Sequence, residues 1–300
     1  MTDPKLTSLL TIYETGNFTR AAQKLSLSQP AVSQHIRQLE AEFGVRIFER
    51  AHSGLRLTRE GEILLKYARR FQALDRNLSE ALSSQLRQLT SLTVGITHTA
   101  ESNAIAETLA RYVNLHDHVA IKVITGTVDS LYEGLKNFEL DLAVVEGPNL
   151  DPRFHCVMLD TDCLVLAVPP DHPLAGNTMV TIEELKKEKL ILRLPNSSTR
   201  SLFVSTLESR SLSLDDFNVV LEIDNIATIK DLIRRGFGVS VLAQSACMDE
   251  LRKKKMAVLS IENLSMLREI NLVYSEDFGH PEVLKEIIRC YNEVKEQTAE

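Results

Sequence analysis

The sequence predicts an α+β multidomain chain: a small helical head with a two-stranded wing, a long connecting helix, and a larger α/β body. Three observations predict it. Apolar residues recur at three- and four-residue steps through the first 90 residues, then give way to short β-branched runs separated by helical stretches. Lys and Arg outnumber Asp and Glu by 13 to 9 in residues 1–90, whereas the remainder carries 21 against 32, so a basic head sits on an acidic body. A length of 300 residues leaves room for two or three domains.

In the head, Leu6, Leu9, Leu10 and Tyr13 keep helical spacing, and Gly16-Asn17 ends that helix. A short helix follows over Thr19–Leu25, with Ala21, Ala22 and Leu25 as small or apolar contacts. Leu27-Ser28-Gln29-Pro30 is a tight turn into a third helix. Ser28 or Gln29 can cap it, and proline fits the first turn because those amides lack intrahelical partners. Val32, Ile36 and Leu39 then form a core stripe that ends at Phe43-Gly44. Val45–Phe48 and Leu55–Leu57 can pair as short strands around ERAHSG.

From Thr58 to about Leu89 the helical pattern continues unbroken. Leu64, Tyr67, Phe71, Leu74, Leu78, Ala81 or Leu82, and Leu89 form one apolar stripe. Such a helix is about 40 Å long at the α-helical rise. A single stripe of that length suits a dimer seam or a spacer packed on its own domain.

In the body, SLTVGIT, VAIKVIT, LDLAVVE, CLVLAV, VVLEI, VSVL and INLVY read as strands. Helical stretches such as Ser102–Val113, Val128–Asn137 and Asn225–Arg235 separate them, which predicts mainly parallel sheets. The segment suits two small sheets better than one large one. Pro169-Pro170 marks a turn near the crossover between them.

Several function classes fall away. Hydrophobic residues make up 44% and charged residues 25%, which is enough to build a core in a soluble chain. No window approaches the roughly 18 apolar residues of a membrane span. The start, MTDPKLTSLLTIYETGNF, has an acid at its front and no small-residue cleavage site, so a cytoplasmic protein without a membrane partner is expected. There is no GxSxG, HExxH, P-loop or GxGxxG, so neither an enzyme nor a cofactor is expected. No Cys/His cluster has zinc spacing. Cys156, Cys163, Cys247 and Cys290 read as buried hydrophobes; a thiol switch through the nearest pair, Cys156 and Cys163, is the alternative.

Two short helices, a tight turn and a wing make a winged helix-turn-helix, whose second helix presents its outer face to a DNA major groove. Opposite the core stripe lie Gln29, Pro30, Ser33, Gln34 and Arg37. Gln can pair bidentately with adenine, Arg with guanine, Ser with either kind of edge, and proline can touch a thymine methyl. Arg20, with Arg50, His52, Ser53 and Arg56 on the wing, is placed to hold phosphates. The partner is then double-stranded DNA. An ordinary three-helix bundle with a polar outer face would need neither the wing nor the acid-free segment from Ser26 to Gln38.

The run FTRAAQKLSLSQPAVSQHIRQLEAEFGVRIFERAHSGLRLTREGEILL resembles the DNA-binding domain of LysR-type transcriptional regulators. The shared elements are F-T-R-A-A, L-x-x-S-Q-P-A-V-S-x-x-I-x-x-L-E, the F-x-R before the wing and L-T-x-x-G at the start of the long helix. ELDLAVVEGP and IKDLIRRGFGVSVLAQSA resemble segments of the family's effector domain, so the likeness covers essentially the whole chain. It implies a winged helix-turn-helix over residues 1–60, a linker and dimerisation helix over 61–90, and a periplasmic-binding-protein-like effector domain over 91–300. That domain would have two α/β subdomains, about 91–161 with 267–300 and about 162–266, with a small-molecule co-inducer between them. The likeness also implies a homodimer or homotetramer on promoter DNA that contacts RNA polymerase.

In open α/β sheets, ligands bind beyond the carboxyl ends of strands, where helix amino-termini point amides at anions. Three loops qualify: Thr97, His98 and Thr99 with Ser102 at the next helix start; Thr125 and Thr127 around Gly126; and Asn196, Ser197, Ser198 and Thr199 after LILRLP. These groups can hold a small anionic metabolite or simply cap their helices. His98 can read a ligand's charge or sit exposed in its loop. The family carries glycine-containing versions of the third loop, and this chain departs from them. A solute-binding protein would account for the body but not for the first 60 residues.

Overall fold

Side-chain caps set where the helices of the head begin. In the computed structural model, α1 (Pro4–Thr15) starts at Asp3, whose carboxylate accepts from Lys5 N at 2.8 Å, and ends at Gly16 in the left-handed region. Asn17 caps α2 (Phe18–Leu25) through Thr19 N and Arg20 N. Ser28 caps α3 (Gln29–Phe43) through Ala31 N at 3.3 Å, with Pro30 inside the first turn. Of the two candidate caps the residue is therefore Ser28. Strands β1 (Phe48–Ala51) and β2 (Gly54–Leu57) pair antiparallel as the wing. The first wing strand starts at Phe48 rather than Val45. Before it, Val45 N closes onto Glu40 O and Ile47 N donates to the Glu40 carboxylate, so those amides are spent on α3.

The described residues are 3–51, 54–87, 90–102, 104–149, 151–276, 278 and 280–299. They form two compact units, Met1–Ser91 with Lys136–Glu139, and Leu92–Leu135 with Leu140–Glu300. The core of the first gathers Leu9, Ile12, Ala21, Val32, Ile36, Leu39 and Ile47 with Leu65 and Ala68 of α4 (Arg59–Arg87). Burying each such Leu or Ile side chain contributes about 1.5–3 kcal/mol. Beyond the head, Ile63, Tyr67, Phe71, Leu74, Leu78 and Leu82 form a stripe along α4, each at least 45% exposed. Leu64 leaves the expected stripe and packs on the head, and Ile63 takes its place. Leu89 lies outside the described residues.

The second unit contains β3 (Thr90–Thr97), α5 (Ala104–Leu115), β4 (Val119–Gly126), α6 (Val128–Lys136), β5 (Leu142–Glu146) and β6 (Phe154–Val168). It continues with β7 (Met179–Val180), α7 (Ile182–Leu185), β8 (Leu190–Leu192), α8 (Ser198–Glu208), β9 (Val219–Glu222), α9 (Ile226–Arg234) and β10 (Ser240–Ala243). α10 (Gln244–Arg252), β11 (Ala257–Ile261), β12 (Leu267–Ser275) and α11 (Pro281–Ala299) complete it. The main sheet runs β4-β3-β5-β12-β6-β11-β7, with β10 also on β6 and a separate β8-β9 pair.

Two lobes share this sheet. In the first, Leu142 and Val144 pack with α5 and α11 residues such as Ile105, Leu109 and Ile287, while Ala143 and Val145 pack with Leu131 and Leu135 of α6. Both faces of β5 are covered, which is why LDLAVVE reads as a continuous apolar run. In the second lobe, Leu164, Leu166 and Val168 meet Phe203 and Leu259, while Ala167 meets Ile229, Ile233 and Leu242.

The sheet is mixed rather than mainly parallel. β3 and β5 run parallel, but β12 is antiparallel to both β5 and β6, and β10 and β11 are antiparallel to β6. The chain leaves the first lobe along β6 and returns along β12, so those two must oppose each other. The crossover also lies inside β6, where pairing passes from β12 to β10 and β11 around Asp162–Leu164, and not at Pro169-Pro170. The first-lobe helix expected from Ser102 begins at Ala104, after a 3-10 turn over Ala100–Ser102.

The L-T-x-x-G element has a steric origin. Thr58 accepts from Gly61 N at 2.9 Å and donates to Arg46 O, which starts α4 against the turn before the wing. A Cβ on Gly61 would lie 2.1 Å from the Ile47 carbonyl oxygen. Gly61→Ala is expected to destabilise the head by about 1–3 kcal/mol through overpacking. Urea unfolding followed by circular dichroism measures this, and an unchanged midpoint would refute the close approach.

Candidate DNA-binding and effector sites

α3 is held by its inner face. Val32, Ile36 and Leu39 are buried, and His35 Nδ1 meets Ser8 Oγ of α1 at 2.7 Å. Gln29, Pro30, Gln34 and Arg37 are exposed. Ser33 is half-buried and accepts from Gln29 Nε2 at 2.9 Å, so these two side chains act as a pair one helical turn apart. Arg20 on α2 and Arg56 on β2 are exposed cations. Glu49 faces Arg56 across the wing register. The side chain of Arg50 and the residues His52 and Ser53 lie outside the described residues.

The second site lies where strands of the two lobes end. A cavity of ≈ 20 Å³ is lined by Thr97, His98 and Thr99, by Gly126, Thr127 and Val128, by Arg193, by Asn196, Ser197 and Ser198, and by Asp224. That volume holds about one water molecule. All three loops therefore contribute to one cavity. Among the described residues, Thr125 and Thr199 do not line it. Thr125 is half-buried on β4, and the Ser102 side chain lies outside the described residues. Thr199 is buried, and its hydroxyl accepts from Arg268 Nη1 at 3.4 Å.

Capping explains some of these groups and not others. Thr127 Oγ1 accepts from Ser130 N at 3.3 Å, and Thr97 Oγ1 accepts from Ala100 N at 3.1 Å. Ser197 occupies the N-cap of α8 and makes no side-chain cap hydrogen bond, unlike Asn17, Ser28 and Asn225. That first turn, which contributes Ser197 and Ser198 to the cavity lining, has no side-chain cap for its amides.

Charged groups surround the site, and Arg193, Asp224, Glu146, Asp162 and Arg268 were missing from the sequence-based expectation. Arg193 is 2% exposed, and its Nη2 lies 3.0 Å from Asp224 Oδ1. Its Nε and Nη1 are buried without a hydrogen-bond partner. His98 Nε2 lies 3.7 Å from the other Asp224 oxygen. Glu146, at the end of β5, accepts from Thr97 Oγ1 at 2.5 Å and from Ser198 Oγ at 3.1 Å. Arg268 Nη1 donates to Ser198 Oγ at 3.2 Å, and Arg268 Nη2 lies 3.3 Å from Asp162 Oδ2. Arg200 bonds the Arg193 carbonyl and Glu222. A signal was present in the sequence: Arg193 interrupts LILRLP and Glu146 closes LDLAVVE, each an ionisable residue at the end of an apolar strand.

The cysteines depart from the expectation of burial. Cys247 and Cys290 are buried, but Cys156 is exposed and Cys163 half-buried at the lobe crossover. Cys163 Sγ donates to Gln244 Oε1 at 2.9 Å, and burial raises its thiol pKa. Burial and Glu269 raise that of Cys156. The two stand seven residues apart on one strand, about 23 Å at the β rise. A disulfide needs Cα atoms within about 7 Å, so this pair cannot close while β6 is intact.

Residues 5–62 match the family model described as the bacterial regulatory helix-turn-helix protein, lysR family, and residues 87–295 match the LysR substrate binding domain. The RuBisCO operon transcriptional regulator of Allochromatium vinosum is 29% identical over 259 residues, covering 86% of this chain and 84% of that protein. The crystal structure of CbnR, a LysR family transcriptional regulator, superposes with a TM-score of 0.72 at 19% identity, covering 97% and 98% of the two chains. The regulatory domain of CcmR from Synechocystis PCC6803, in complex with 2-PG, has a TM-score of 0.60 at 21% identity and covers 69% of this chain and 98% of that one. The chain belongs to the LysR family: it is a DNA-binding transcriptional regulator with an amino-terminal helix-turn-helix and a carboxy-terminal effector-binding domain.

Proposed function

We propose that this regulator responds to a small anionic metabolite bound between the two lobes, and that the observation carrying this reading is Arg193. A guanidinium buried with two unpartnered nitrogens bears a desolvation cost that an anion would offset. The uncapped first turn of α8 beside it adds amides and the positive end of a helix dipole. The similarly folded CcmR domain holds 2-PG. The cavity has room for about one water, so binding requires the lobes to separate. An effector can shift the protein only by its difference in affinity between the two lobe arrangements.

No helix among the described residues is long and apolar enough to cross a membrane. The protein works in the cytoplasm as a homodimer or homotetramer, without a cofactor or catalytic step. α4 supplies the seam, because the stripe Ile63, Tyr67, Phe71, Leu74, Leu78, Leu82 steps by three and four residues and is exposed in the single chain. Lobe movement changes the spacing of paired heads on promoter DNA, relaxes its bend and permits contact with RNA polymerase. Gln29, Pro30, Ser33, Gln34 and Arg37 read base edges, and Arg20, Arg50, His52, Ser53 and Arg56 hold phosphates.

Three outcomes test this reading. Arg193→Met is expected to abolish the response of promoter binding to anionic metabolites while leaving promoter binding itself unchanged in gel shift; a retained response would remove the anion from Arg193. Gln29→Ala or Ser33→Ala is expected to cost about 1–3 kcal/mol of specific binding, with little loss on random DNA. Because the two side chains bond each other, the double variant should cost less than the two single losses combined. Equal weakening on random DNA would exclude base readout. Phe71→Glu is expected to shift the chain toward monomer in sedimentation velocity, and an unchanged oligomer would place the seam elsewhere.

A further inference from the structure

Two hydroxyl protons at the effector cleft, those of Thr97 and Ser198, are already taken. A serine or threonine hydroxyl donates one hydrogen bond. Thr97 gives its proton to Glu146 Oε1 and Ser198 gives its proton to Oε2. The other roles of these oxygens are acceptors, for Ala100 N and for Arg268 Nη1. Glu146 is 5% exposed and stands in the first lobe with Thr97, whereas Ser198 opens α8 of the second lobe. One carboxylate thus collects a donor from each lobe, and both donors line the cavity where an anion would be received.

We propose that Glu146 is an internal competitor of the effector: its carboxylate holds the Thr97 and Ser198 hydroxyls and ties the lobes together, and an entering anion must take its place. This rests on the anionic reading of the cleft. Two carboxylate-like groups cannot share the same two hydroxyl protons, and their like charges disfavour occupation together beside the buried Glu146 carboxylate. Entry therefore exchanges the Glu146 hydrogen bonds for those of the ligand and breaks a lobe-to-lobe bond in the same step. Glu146 sets the concentration at which the regulator responds, and it selects ligands whose acceptor atoms bond the two hydroxyls better than its own carboxylate does. The chain thereby links anion binding to lobe separation through a named contact rather than through general closure.

The test is calorimetric titration of the full-length chain with inorganic phosphate. Glu146→Gln removes the charge and offers only one acceptor oxygen. Glu146→Asp keeps the charge, but its shorter arm does not span both hydroxyls. Both variants are expected to bind phosphate about tenfold more tightly than wild type, the scale of a lost charge-assisted hydrogen bond. A gain in Glu146→Gln alone would overturn the proposal, because it would report the field of a charge rather than competition for the hydroxyls. Binding by wild type with no gain in either variant would overturn it too, while leaving the anion site standing if Arg193→Met abolishes that binding. Absence of binding in wild type and both variants would overturn the competitor and the anion site together.

Discussion

The buried ion pair between Asp162 and Arg268 organises the effector-binding unit. The two residues face each other across β6 and β12, where both strands pass from one lobe to the other. Each side chain is almost wholly withdrawn from solvent. Such a pair recovers its desolvation cost only when its remaining donors and acceptors are satisfied, and removing one partner of a buried pair costs about 3–5 kcal/mol. Here the surrounding helices supply partners to all but Arg268 Nε, which is buried without one. Ser245, in the first turn of α10, donates its amide and hydroxyl to Asp162, and Ser198 and Thr199 of α8 accept from Arg268. One electrostatic contact thereby fixes the crossing point of the strands and the starts of two helices.

From that anchor the cleft takes its chemistry. α8 begins beside Arg268, so the Ser198 hydroxyl reaches Glu146 at the end of β5. Arg193, at the end of the second-lobe strand β8, meets Asp224 just after its neighbour β9. Arg193 and Asp224 thus line a cavity that neither lobe forms alone. A ligand that changes the balance of these charges also changes the contacts that keep the lobes together. On the proposed function, recognition and conformational response draw on the same set of hydrogen bonds.

The head follows a different logic. Its helices are short, and each is begun by a side chain of its own sequence, Asp3, Asn17 or Ser28. Contacts close in the chain decide most of its geometry, so much of it was legible. The L-S-L-S-Q-P-A-V-S segment shows how: Ser28 caps, Pro30 fits the first turn, Val32 turns inward and Gln29 outward. The bond between Gln29 and Ser33 does not follow from the spacing alone, although both fall one turn apart on the same face. The stripe on α4 was visible as a period, but the shift from Leu64 to Ile63 needed the position of the head against the helix.

By itself the sequence determined the order of elements, the change of texture after residue 90, the recognition helix and the loops at strand ends. These depend on local periodicity, capping and turn chemistry, which act over a few residues. It did not determine that β12 returns antiparallel between β5 and β6, that Asp162 meets Arg268 across 106 positions, or that Glu146 meets Ser198 across 52. Those contacts join residues that share no local pattern, and only packing of the whole sheet brings them within hydrogen-bonding distance. The burial of Arg193 belongs with them, because a charge enters a core only where distant residues have already built the site that receives it.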